Sequence, residues 1–220
     1  MTYIFIQYPH IIAMVVWFII TVLSLLRYFN YQIFARISWK ALLIVAVVLH
    51  IGYASLLTWG QYTQWGSDSI TKVFLNQPLP QTVPLTPVLA WARPALEQPL
   101  GYFIFYVFGH FWISTILLFG IAGFFGMLLK LRSYYRPWNF KEGEIVVITL
   151  ALLVSGWPGV IVLLPLAFVF AIIFSVVSST FYGVSRIYLA PAFLVAAPVA
   201  LFLGITILKF TELYTLFKLS

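Results

Sequence analysis

Apolar residues in this chain come in long unbroken stretches, at about 4–26, 41–59, 102–129, 144–178 and 187–208, separated by short polar segments. A hydrocarbon core of roughly 30 Å takes about 20 apolar residues per helix, so each stretch predicts a membrane span. The stretch at 144–178 is interrupted by "GWPG" at 156–159. Residues 144–155 alone are short for a crossing, so either one helix kinks at Pro158 or a short helix and a full one meet in a tight turn. The expected fold is all-α, a polytopic transmembrane helix bundle of six spans, or five if the helix is only kinked, forming a single domain over 1–220. Between the second and third stretches, 60–101 holds Pro78, Pro80, Pro84, Pro87, Pro94 and Pro99. That density predicts an irregular, ordered lid or docking surface rather than a helix.

Composition supports this reading: 63% of residues are hydrophobic and 8% charged, a balance that a water-facing surface does not tolerate. The net charge of +7 would suggest nucleic acid in a soluble protein. Here the basic residues fall in short loops, which is the topological pattern of membrane proteins, and no nucleic-acid partner is expected. Arg27, Arg36 and Lys40 lie in 27–40, and Lys130, Arg132, Arg136 and Lys141 in 130–143. Both loops are expected on the cytoplasmic side of an inner or energy-transducing membrane, with the N-terminus and 60–101 external. The first stretch lacks a basic leader and a small-residue cleavage site and is read as a retained helix. Absence of cysteine excludes disulfides, thiolate metal sites, iron–sulfur clusters and a cysteine nucleophile. No internal repeat is visible.

Gly120, Gly123 and Gly126, with Ala122, give the third stretch a face that admits a close helix neighbour, inside the subunit or in a partner. Pro191 and Pro198, seven apart, predict a bend in the last long helix. The tail "ILKFTELYTLFKLS" is expected to end that helix in the membrane interface. Many aromatics, Trp39, Trp59, Trp65, Trp91, Trp138 and Trp157 among them, fall where interfacial rings prefer to lie.

Candidate chemistry inside the membrane narrows quickly. No Asp, Glu, Lys or Arg falls in the middle of a span; Glu142 and Glu144 stand at the mouth of the fourth, Arg186 at the start of the last. Ion-coupled carriers usually place such a group at mid-membrane. What remains is His10, His50 and His110, each in an apolar run. From outer ends near 4, 60 and 102 they lie about 9, 15 and 12 Å inward, which predicts one shared layer. Neutral imidazoles at equal depth on facing helices suit iron in a bis-histidine b haem, with His50 and His110 as the iron ligands and His10 a further candidate. Alternatively each ring bonds a neighbouring carbonyl or hydroxyl and ties helices together. Ser155 and Ser185 have no partnered His and acid, and no phosphate-binding glycine loop is present.

Two family resemblances follow. "IQYPHIIAMVVWFIITVLSLLRYFNYQ", "LHIG" at 49–52, and "LLKLRSYYRP" at 128–137 followed by "EGEIVVITLALLVSGWPGVI" resemble, in order and hydropathic rhythm, the membrane cytochrome b (gamma) subunit of respiratory nitrate reductases. The resemblance implies a helical bundle passing electrons from quinol through b haems to partner subunits. His50 matches the first family ligand; Gly60, Tyr188 and Thr206 stand where the others would be, so His110 would have to complete a haem. "KEGEIVVITLALLVSGW" is similar to the G-x-G-D helix of six-span prepilin peptidases, with Lys141, Glu142, Gly143 and Glu144 in its place and Asn30 where the second acid would be. Peptide cleavage by that class needs two carboxylates, so an inactive relative is implied. The leading expectation is an integral subunit of a larger membrane complex of the respiratory, electron-transfer kind, contacting lipid and other membrane and hydrophilic subunits, anchoring the assembly and holding haem b near a quinone site. The alternatives are a cofactor-free scaffold, a small transport or export component, or an inactive relative of the membrane aspartyl peptidases.

Overall fold

The computed structural model describes residues 9–29, 37–87, 89–135, 143–183 and 188–217. Among these residues seven principal helices form: α1 (Pro9–Phe29), α2 (Trp39–Ser67), α3 (Gly101–Val107), α4 (Ile113–Tyr135), α5 (Glu144–Ser155), α6 (Gly159–Tyr182) and α7 (Ala190–Phe210). A wider π-helical turn, Phe108–Trp112, joins α3 to α4, so 101–135 is one continuous helical rod. Among the described residues, five helical segments are long and apolar enough to cross a membrane, namely α1, α2, the α3–α4 rod, α6 and α7. The chain is an integral membrane helix bundle by this measure.

The expected sixth crossing is α5, whose 12 residues reach only about 18 Å. It is also the innermost element, with Glu144, Val147, Ile148 and every residue from Leu150 to Ser155 buried. Its apolar side chains point in all directions, which suits a helix enclosed by others rather than one facing lipid. Gly156 has φ +65° and a cis bond joins Trp157 to Pro158; α6 starts immediately after.

A few contacts fix the register around α5. At one end Gly143 packs against Trp39, the Arg27 guanidinium lies 4.2 Å over the Trp39 ring, and Glu144 Oε1 accepts the Ala190 N–H at 3.1 Å. Lys40, Lys130 and Arg132 belong to the same ends of their helices, so this is the basic end of the bundle. Farther in, Thr149 meets Gly126, and His50 on α2 meets Leu153 on α5. A Cβ built on Gly159 would lie 3.1 Å from Ala200 O, and one on Gly204 would lie 3.1 Å from Gly159 Cα. Phe168 packs on Phe193 with ring centroids 6.4 Å apart. Helix α6 therefore starts halfway along α7 and runs back antiparallel to it, toward the basic end and past the start of α7. No described residue of α6 beyond Ala167 is buried.

The 60–101 region differs in part from the expected irregular lid. Helix α2 continues to Ser67 and α3 begins at Gly101, so the irregular part is 68–100, with one-turn helices at Lys72–Leu75, Ala90–Ala92 and Arg93–Leu96. At 29 residues α2 is about 43 Å long, more than a bilayer core needs; its surplus packs Trp65 against Phe74, Phe103, Tyr102 and Tyr106. Arg93 holds the prolines' segment by donating to Val83 O at 2.6 Å while facing Glu97 at 3.6 Å.

Candidate intramembrane binding site

Because α5 stops short, space is left over its end. A cavity of about 470 Å³ lies there, walled by Ala13, Met14 and Trp17 of α1, Tyr53 and Leu57 of α2, His110, Phe111, Ser114, Thr115 and Leu118 on the α3–α4 rod, and Ala200, Leu201 and Ile205 of α7. Ser155, Gly156, Trp157, Pro158 and Gly159 form its floor. That volume is within the usual range for small-ligand pockets, roughly 300–1,000 Å³. Non-helical backbone at membrane depth is tolerated where it is enclosed in protein or lines a cavity, and the half-buried Gly156–Pro158 break lines one.

His50 belongs to the floor. It is buried, its Nε2–H donates to Leu153 O at 2.9 Å, its ring stacks on Trp17 at 4.2 Å, and Phe119 meets it edge-on at 5.9 Å. The stripe Leu42, Ala46, His50 and Ala54 is the buried face of α2, and its four-residue spacing turns the imidazole inward. His110 belongs to the mouth. The π-helical turn sets it there, with Nδ1–H donating to Tyr106 O at 2.9 Å and the ring stacked on Tyr106 at 4.0 Å. Next to it, Trp112 Nε1 donates to Thr58 Oγ1 at 3.0 Å. Thr58 is eight residues, about 12 Å, farther along α2 than His50.

The two histidines thus share a cavity but not a depth, which corrects the single layer expected from counting inward along each helix. Two imidazoles on one iron stand at opposite ends of bonds of about 2 Å each. Counted along α2 and the rod from the Trp112–Thr58 contact, His50 and His110 are separated in depth by about 12 Å or more, and the Nε2 of His50 is already spent on a carbonyl. His50 and His110 as placed do not fit the two axial positions of one bis-histidine haem. His10 is the second residue of α1, and its side chain lies outside the described residues. Among the described residues no group of three or more His, Asp or Glu could hold a metal ion.

The positions taken from the two resemblances are dispersed. Gly60 lies in the outward extension of α2, Thr206 is exposed on α7, and Tyr188 sits near Glu144 and Tyr28 at the basic end. Asn30, Lys141, Glu142, Ser185 and Arg186 lie outside the described residues. The cavity residues that sequence reasoning passed over are Ser114, Thr115 and Tyr53, which look like ordinary helix residues; the available signal was the helix break at 156–159. No protein-family model, curated protein or solved structure matches the chain.

Proposed function

We propose that this protein is an integral membrane binding subunit, which takes a lipid-soluble molecule into the cavity over α5. The observation that carries the reading is the cavity itself: about 470 Å³, walled by Met14, Leu57, Leu118 and Ile205, with a few polar side chains converging on it. An apolar pocket with a small number of placed polar groups is the ordinary form of a ligand site. In this reading four helical rods cross fully, and α5 with α6 enters from the cytoplasmic side. The N-terminus and 68–100 are external, and 27–40 and 130–143 cytoplasmic, as the basic residues require. Gly120 and Gly123, where an added Cβ would meet no atom within 4 Å, keep a bare strip on α4 suited to a neighbouring helix in a larger complex.

The test is the ligand carried by the purified protein. Lipid extracted from wild type, isolated from its own membrane in mild detergent, should contain a molecule held at near one-to-one ratio. Leu57→Trp, which narrows the cavity, should retain less of it while unfolding at the same temperature. Identical lipid content in both proteins would remove the reading.

A further inference from the structure

The cavity's wall is not closed evenly. Leu118 and Ala200 line it and are each 1% exposed, as side chains enclosed by the bundle are. Met14 of α1 and Ile205 of α7 also line it, yet they are 41% and 46% exposed. Nothing in the described chain covers these two.

A ring contact fixes how they stand to each other. Phe18 of α1 and Phe202 of α7 meet edge-on with centroids 5.6 Å apart. Helix α1 ends at the basic end with Arg27 and Phe29, whereas α7 begins there with Ala190, so the two run antiparallel. One turn farther from the basic end is therefore Met14 on α1 and Ile205 on α7. Past the phenylalanines the groove between the helices has Met14 on one side and Ile205 on the other, with Ala13 and Leu201 beside them, and all four line the cavity. The side chains around the outside of the groove, Ile11, Val15 and Leu203, are exposed and apolar. Counted along the helical rise, Met14 is about 20 Å from Arg27, and Ile205 is about 22 Å from Ala190. The two counts agree, and both pass the middle of a hydrocarbon core of about 30 Å.

Resting on the binding-subunit reading, we infer that the gap between Met14 and Ile205 is a lateral portal, through which the cavity takes a molecule with an apolar chain directly from the leaflet remote from the basic end. Phe18 and Phe202 are its sill. A hydrocarbon chain moving from lipid into this gap exchanges one apolar surrounding for another, whereas a polar solute would find no partner there. Met14 suits a gate, since its unbranched, flexible side chain can fill a gap or leave it.

The test uses the absence of cysteine. Ser114→Cys sets a single thiol on the cavity wall of the full chain, which is placed in phosphatidylcholine vesicles. It is reacted with N-dodecylmaleimide, which stays in the bilayer, and separately with a sulfonated maleimide, which stays in water. Adding Met14→Trp and Ile205→Trp, which narrow the gap, should slow the dodecyl reagent at least several-fold and leave the sulfonated reagent's rate unchanged. Adding Phe18→Ala and Phe202→Ala instead, which lowers the sill, should speed the dodecyl reagent. A thiol that the dodecyl reagent does not reach, a dodecyl rate indifferent to both pairs of substitutions, or equal slowing of the two reagents by the tryptophans overturns the inference. The readout is access to the cavity, so the retained-lipid comparison with Leu57→Trp stands on its own result.

Discussion

Glu144 is 4% exposed and begins α5, yet its Oε1 serves the start of α7 through the Ala190 N–H, 46 residues on. The first amides of a helix have no intrahelical acceptor, and a carboxylate there also meets the favourable end of the helix dipole. Removing that acceptor strands a buried donor. Glu144→Ala is expected to lower unfolding stability in detergent by about 1–3 kcal/mol, whereas Glu144→Gln keeps an acceptor oxygen and should lose clearly less. Equal losses in the two variants would mean the bond to Ala190 contributes nothing. His50 answers to the same chemistry: an imidazole inside an apolar run is satisfied by one carbonyl and by two aromatic neighbours. The sequence showed that Glu144 stands at a helix mouth and that His50 must find a partner. It did not show which partner, because Ala190 and Leu153 are remote in the chain and near only in the fold.

At the scale of elements, the glycines separate into those that touch and those that do not. Gly159 and Gly204 let α6 and α7 approach until a Cβ on either would press on the other helix, and Gly126 meets Thr149 of α5. Gly120 and Gly123 meet nothing, although all three α4 glycines read alike in the sequence. Gly204→Val should therefore cost about 1–3 kcal/mol through forced separation of the two helices. Gly120→Ala and Gly123→Ala, measured by the same unfolding assay, should leave stability unchanged or raise it slightly, because alanine favours helix. A loss with Gly120→Ala as large as with Gly204→Val would show that the bare strip is covered within the subunit. Gly101 is a different case, since a Cβ there would overlap the Leu96 carbonyl and α3 could not start where it does. The break at 156–159 was legible as a break. A short helix before it, 144–155, was one of the two readings the sequence allowed, and the structure has it; the cavity over its end was not legible, since it depends on how far the neighbouring helices extend.

For the molecule as a whole, orientation is open to direct measurement because the chain has no cysteine. Trp91 and Tyr134 are 80% and 82% exposed and belong to opposite ends of the bundle. Trp91→Cys should react with a membrane-impermeant maleimide on intact cells, and Tyr134→Cys only after permeabilisation. The reverse pattern would invert the topology drawn from the basic loops. What the sequence by itself determined is the solvent: apolar runs of span length, the class of fold, the basic end and the break at 156–159 are sums over many residues, and an error of a residue or two leaves them standing. Only the tertiary structure decided which side chains meet. A step of one residue turns a helix by about 100°, so a small error in a helix end changes both the depth and the face of an imidazole. That is why His50 and His110, level by counting along their own helices, lie at the floor and the mouth of one cavity. The half-length of α5, set against the full length of its neighbours, makes the room between them.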